Sequence, residues 1–306
     1  YRIASTDPGI DPPSAFFNTA RNAADRKEFD KLLAQPRFRW FGAWIPTHDA
    51  GGKRGARATA ENYIAQVTGG DPAVAVGIGI FRLQPFEHEA CNRLPTAAEI
   101  ADYKSWIGEF AAGIGNARVA LLLQPDMPFT LCLPHHSPVD LQLIDWTVRR
   151  FSALAHTTVY IDAGAADWQT PAAMASMLKR AGVARARGFA LNLTHYDSTG
   201  RQVVYGKKIV KELARRGVPN SHFVVNTAQN GRPFTTQAHN REFKLAFVCR
   251  TRSSRACVTL GRPPTTNTGI AQVDGYLWLG RPWINNATRR NYDEVLQLVK
   301  TSPYFG

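Results

Sequence analysis

The chain has 306 residues, 44% of them hydrophobic and 20% charged, an ordinary globular composition with length for a large core. No stretch approaches the roughly 18 apolar residues of a membrane span, and no Gly/Ser linker, Pro-rich hinge or internal repeat divides the sequence, so residues 1–306 are expected to form one unit. The net charge of +13 suits an acidic partner, but the Lys and Arg fall in short clusters ("TVRRF", "KRAGVARARG", "RTRSSR") with no interleaved aromatics, so nucleic acid is not expected as the partner. No positively charged apolar leader is found, and any signal peptide is expected to be absent already.

In chain order, apolar runs occur at 37–45 ("RFRWFGAWI"), 73–81 ("AVAVGIGIF"), 117–124 ("ARVALLLQ"), 157–164 ("TTVYIDAG"), 187–193 ("RGFALNL"), 222–228 ("HFVVNTA") and 273–280 ("VDGYLWLG"). Helical periodicity fills most of the gaps. Over 96–115 it places Ile100, Tyr103, Ile107, Phe110, Ala111 and Ile114 on one stripe, and Thr96 with Glu99 reads as a capping box. Residues 138–155 and 170–182 behave alike, the second ending on a glycine. Strands that are continuously apolar, rather than alternating, are buried on both faces, as in a parallel sheet. Seven such strands alternating with helices predict an α/β fold, a distorted seven-stranded parallel barrel of TIM-like type.

In such barrels chemistry collects at the carboxyl ends of the strands. Here those ends carry Asp126, Asp162, Asn192 and Asn226, with Asn285 and Asn286 beyond the last strand. Any one of them suits a turn, but several delivered to one rim predict a site. In "TVYIDAGAADW" (158–168), a buried-looking strand ends on Asp162, passes through small residues and presents Trp168. Elsewhere "GGKRGARAT" lacks phosphate-loop spacing, no Ser sits in a GxSxG elbow, and the adjacent His135 and His136 cannot share a helix face as ligands. These stretches and "CNRLP" read as loops, and neither metal nor cofactor is expected. The four cysteines, Cys91, Cys132, Cys249 and Cys257, form no CxxC pair; they fit two disulfides in an oxidising compartment, with reduced thiols the alternative and three connectivities open.

These segments resemble glycoside hydrolase family 6, the inverting cellulases and cellobiohydrolases. "LLLQPD" is similar to the family's "EPD" segment and "VYIDAGAADW" to its "VYxDAGHxxW". "ARGFALNLTHYDST", "VVNTAQNG" and "PPTTNTG...VDGYLWL" follow in the family's order, behind a helix, "YKSWIGEFAAGIG", close to the family's own. The resemblance implies that Asp126 is the general acid and that Asp162 is an ionised supporting carboxylate. It implies that Trp168 and Trp44 stack on sugar rings, with the small residues after Asp162 leaving room for the glycan. His195 and Asn230 fall in the matching segments and are assigned to the sugar site. The pairing Cys91–Cys132 resembles the family's first bridge. Cys249–Cys257 would close a short loop, whereas the family's second bridge reaches past the last strand.

Departures from the pattern are as informative. The loop after the second strand, "GIFRLQPFEHEAC", lacks the family's relay Asp, a place that Glu89 or Glu87 would have to fill. In "LWLGRPWINNA", Gly280, Ile284 and Asn286 stand where the family has Lys, Glu and its base Asp, with Trp283 offering a new stacking plane and Asn286 remaining a substrate contact. Ala165 replaces a family His and Asn226 a family Asp. The resemblance therefore implies a secreted or cell-envelope monomer that cleaves β-1,4-glucan or a related polysaccharide with inversion, its water activated without the usual base. The alternative is a glycan-binding protein on the same fold that has lost catalysis.

Overall fold

The computed structural model describes residue 17 and residues 20–235, 247–283 and 291–305. The seven apolar runs become seven strands: β1 (Arg39–Gly42), β2 (Val76–Phe81), β3 (Val119–Leu123), β4 (Thr157–Asp162), β5 (Gly188–Leu191), β6 (His222–Asn226) and β7 (Val273–Leu277). They pair in sequence order, every pair parallel. Around them lie α1 (Ala23–Leu33), α2 (Ala56–Thr68), α3 (Ala97–Ile114), α4 (Val139–Ser152), α5 (Pro171–Arg180), α6 (Thr199–Arg215) and α7 (Tyr292–Lys300). Helix α2 starts inside "GGKRGARAT", where a loop is expected, with Gly55 as its N-cap.

Both faces of the sheet are buried, which explains the continuous apolar runs. One set of alternate residues, among them Ile78, Leu121, Ile161, Phe189 and Val225, packs outward against the helices. The other set (Ala120, Leu122, Tyr160, Ala190, Val224, Leu277) fills the interior. On β2 the interior positions are glycines because β1 brings large rings against them. A Cβ on Gly77 would lie 2.7 Å from Phe38, and one on Gly79 2.5 Å from Trp40.

The sheet curls without closing. Among the described residues no strand pairing joins β7 to β1; instead the Phe38 amide donates to the Trp278 carbonyl (2.8 Å) and the Trp40 indole to that of Leu279 (2.6 Å). At the amino end of the barrel, Asp274 accepts from Tyr160 and from the Arg187 guanidinium, all at 2.8 Å, and lies 2.9 Å from His222 Nδ1.

The stripe of α3 is buried as its periodicity predicts, with the Thr96–Glu99 capping box formed and Ile100 only partly covered. Trp106 also turns inward, stacks on Phe110 and donates its indole N–H to the Ile45 carbonyl (3.0 Å). Gly113 lets α3 touch α2: a Cβ there would sit 2.5 Å from the Arg57 carbonyl oxygen, so any larger residue would push the helices apart. Disulfides join Cys91 to Cys132 and Cys249 to Cys257. Among the described residues no helix is long and apolar enough to cross a membrane.

Candidate active site

Asp126 follows β3 through a kink. Gln124 (φ 53°) and Asp126 (φ 62°) both adopt the left-handed backbone region that non-glycine residues avoid, a cost of about 1–3 kcal/mol per residue that concentrates at functional sites. The kink is held from inside: the Gln124 side-chain oxygen accepts from the amides of Arg82 (3.2 Å) and Leu83 (3.1 Å), at the end of β2. Asp126 is partly buried, and Thr194 Oγ1 donates to its carboxylate at 2.7 Å. Burial pushes this carboxyl up to about 6; the charge of Glu87 adds to the rise, while the Thr194 hydroxyl and His195 oppose it.

Asp162 ends β4 on the interior face, two residues beyond Tyr160, and is 1% exposed. Its carboxylate accepts from the Gly164 amide (3.1 Å) and from the backbone N–H groups of Asp126 and Met127. The second carboxylate thus holds the very loop that carries the first. Its surroundings work against the expectation that Asp162 stays ionised. Burial drives it well above the usual carboxylate range, the Asp126 charge adds to that, and the three N–H donors offset only part. Among the described residues no Lys or Arg bonds to either group, so the two form a coupled pair that resists carrying two charges.

The aromatic plane is present. Trp168 is half-buried, its ring stacked on His195 (centroids 5.0 Å, 22° between planes) and met edge-on by Phe129 (5.2 Å). His195 Nδ1 lies 2.8 Å from the buried carboxylate of Asp167. The small residues after Asp162 do not leave a void. A Cβ on Gly164 (φ +62°) would lie 2.9 Å from Pro128 and 3.1 Å from Trp168, so the loop is small because those two rings close on it. Trp44 is 56% exposed, in the loop after β1.

Other residues expected at the site lie elsewhere. Glu89 points to solvent and pairs with Arg93 at 2.9 Å; it is Glu87, on the same 3-10 turn, whose charge reaches Asp126. The Cys91–Cys132 bridge ties that turn to the one that follows Asp126. Trp283 offers no stacking plane: it is 2% exposed, set against Phe17 and under the Arg37 guanidinium. Asn230 is buried, donating to the Asp197 carbonyl (2.9 Å) and to Thr199 (3.2 Å). Asn192 and Asn226 are buried too, each donating to the other's main-chain carbonyl (3.2 and 3.1 Å), and Asn226 also accepts from the Leu279 amide. They brace the rim rather than line it. Ile284, Asn285 and Asn286 lie outside the described residues. Thr194 and Asp167 are the partners that sequence reasoning passed over; their adjacency to His195 and Trp168 was the available signal. Among the described residues no group of three or more His, Cys, Asp and Glu is placed to hold a metal ion.

A parallel α/β barrel with a carboxylate pair that no described Lys or Arg neutralises, at its carboxyl rim beside an aromatic plane, has the form of a carbohydrate-processing barrel. The sequence profile of glycosyl hydrolases family 6 matches residues 14–283, and the chain belongs to that family. It is similar to Endoglucanase 1 of Streptomyces halstedii (30% identity over 199 residues, 64% of this chain and 59% of the relative). It is also similar to Endoglucanase 1 of Streptomyces sp. strain KSM-9 (27% over 271 residues, 83% of this chain and 64% of the relative). The chain thus spans about three fifths of the length of these relatives. Among solved structures it is similar to the endoglucanase Cel6 from Mycobacterium tuberculosis in complex with methyl-cellobiosyl-4-deoxy-4-thio-β-D-cellobioside, with a TM-score of 0.76, 25% identity and 97% of each chain covered.

Proposed function

We propose that this chain is an inverting glycoside hydrolase acting on β-1,4-glucan or a related polysaccharide, with Asp126 as general acid. The observation that carries the reading is the Asp126–Asp162 pair: one carboxyl raised to about 6 at the accessible rim, the other buried beneath it. A carboxylic acid that still holds its proton near pH 6 can pass it to the departing glycosidic oxygen, while water attacks the opposite face of the sugar. Trp168 supplies a plane for the apolar face of a ring, and Trp44 a second, exposed one. Two disulfides suit action outside the cytoplasm.

With Gly280 and Ile284 where the family has Lys and Glu, a cellulose chain loses charged contacts, so weak activity on crystalline cellulose and better activity on a soluble or substituted glucan are expected. The test is reducing-end release over cellulose, mixed-linkage glucan, xylan and mannan, with NMR of the first-formed anomer. Release of the inverted anomer from a β-glucan supports the reading; the retained anomer overturns it. The second reading, a glycan-binding protein without catalysis, is favoured by Asn286 at the family's base position. Binding across the panel with no release from any member would establish it instead.

A further inference from the structure

The helices of a parallel barrel run opposite to the strands, so their carboxyl termini gather at the face away from the rim that holds Asp126. That face is strongly cationic in one sector. Residues 171–216 hold ten Lys and Arg against two acidic residues in a chain of net charge +13; of the ten, Arg187 is bound to Asp274 and Arg201, at the rim end of α6, to Asp197, and the rest belong to this sector. One of the acids, Asp197, is buried, and the other, Glu212, already carries both Arg215 and Arg216. Next to this segment, Asp145 of α4 is shared by Arg149 and Arg185. The Lys179 ammonium reaches across to the Arg216 carbonyl (2.7 Å), which joins the ends of α5 and α6 into one surface. Arg150, Arg180, Lys207, Lys208 and Lys211 are exposed, with no acidic partner among the described residues.

Complementing helix dipoles accounts for cations in the last turns, but Lys207, Lys208 and Lys211 stand one to two turns further in, where that field has faded. We propose that the outer face of α5 and α6 is a docking surface for a polyuronate, a polysaccharide with a carboxylate on each sugar. The cations are spread over two helices and a turn, so a single small anion would meet only a few of them, whereas a linear polyanion sums many weak contacts. The face has no exposed aromatic ring on which nucleobases would stack. Among the described residues Val204 is its only exposed large apolar side chain, too little to enter a lipid surface.

The experiment is retardation of the full chain in native gels containing polygalacturonate, which reads binding and is independent of any hydrolysis. Retention is expected at low ionic strength and should fall at least about tenfold when salt shortens the screening length to about 3 Å. The triple variant K207Q/K208Q/K211Q should weaken binding about tenfold, whereas K27Q/K53Q/K104Q, with the same loss of net charge elsewhere, should bind like the parent. Thermal melting of both variants checks the fold. No retention of the parent, equal weakening by the two triple variants, or equally tight binding to duplex DNA or anionic vesicles would each overturn the proposal.

Discussion

Tyr160 and Asp162 stand two residues apart on one face of β4, and the carboxylates near them are treated in opposite ways. At the amino end, Asp274 is clasped by Arg187, Tyr160 and His222. At the carboxyl end, Asp126 and Asp162 receive, among the described residues, only a hydroxyl and backbone amides, and both are raised. One carboxylate is neutralised by a guanidinium; the other two have none, and burial favours their protonated forms. The contrast locates chemistry without reference to any ligand.

The comparison is broken most severely at the rim. Asp126→Asn keeps the shape and removes the acidic proton, and turnover on a susceptible glucan should fall by about 10²–10⁴-fold with little change in glycan affinity. Steady-state kinetics beside calorimetric binding checks both halves; parental turnover would remove Asp126 from the acid's role. At the other end, Arg187→Met leaves Asp274 buried beside a tyrosine. A loss of about 2–3 kcal/mol in urea unfolding is expected, below the usual figure for a buried pair because Arg187 is partly exposed.

Asp140, in the first turn of α4, sharpens the rule. It is 2% exposed, its Oδ1 has no hydrogen-bond partner, and burial raises it to about 7. Between its ordinary 3.8 and about 7 the native state keeps a proton that the unfolded chain releases, so stability falls as pH rises across that window. Asp140→Asn should raise the melting temperature at pH 8, by about 2 kcal/mol in stability, and leave it unchanged at pH 4. The smallest effect concerns tuning. The kcat/KM profile should fall as pH rises through about 6, where Asp126 loses its proton. Glu87→Gln removes a repelling charge and should move that limb to lower pH, whereas Thr194→Val removes a donor to the carboxylate and should move it higher. Opposite or absent shifts in the pH–rate profiles would count against the assigned neighbours.

The fold was legible because strands buried on both faces have to be apolar throughout, and seven such runs leave little choice of architecture. The place of Asp126 was legible too, since it follows a buried strand at the carboxyl rim. The asparagines were not: a strand-terminal Asn reads the same in sequence whether it meets a ligand, as expected for this rim, or the backbone, as Asn192 and Asn226 do. Glu87 and Glu89 could not be told apart because their difference lies in which way a 3-10 turn faces. The fate of Trp283 depends on Phe17 and Arg37, more than two hundred residues earlier in the chain.

The seam between β7 and β1 lacks the hydrogen-bond ladder that holds the other strands. A strand inside the sheet, such as β3, is held along its length by β2 and β4, so its amides are released to solvent only by extensive unfolding. Phe38 is held across the seam by one main-chain bond, and its amide should exchange with deuterium well before that of Leu122. The two ends of the curled sheet are instead clamped from outside, where Phe29 and Leu32 of α1 pack against Val295 and Leu298 of α7, so side chains do at the seam what a ladder does elsewhere.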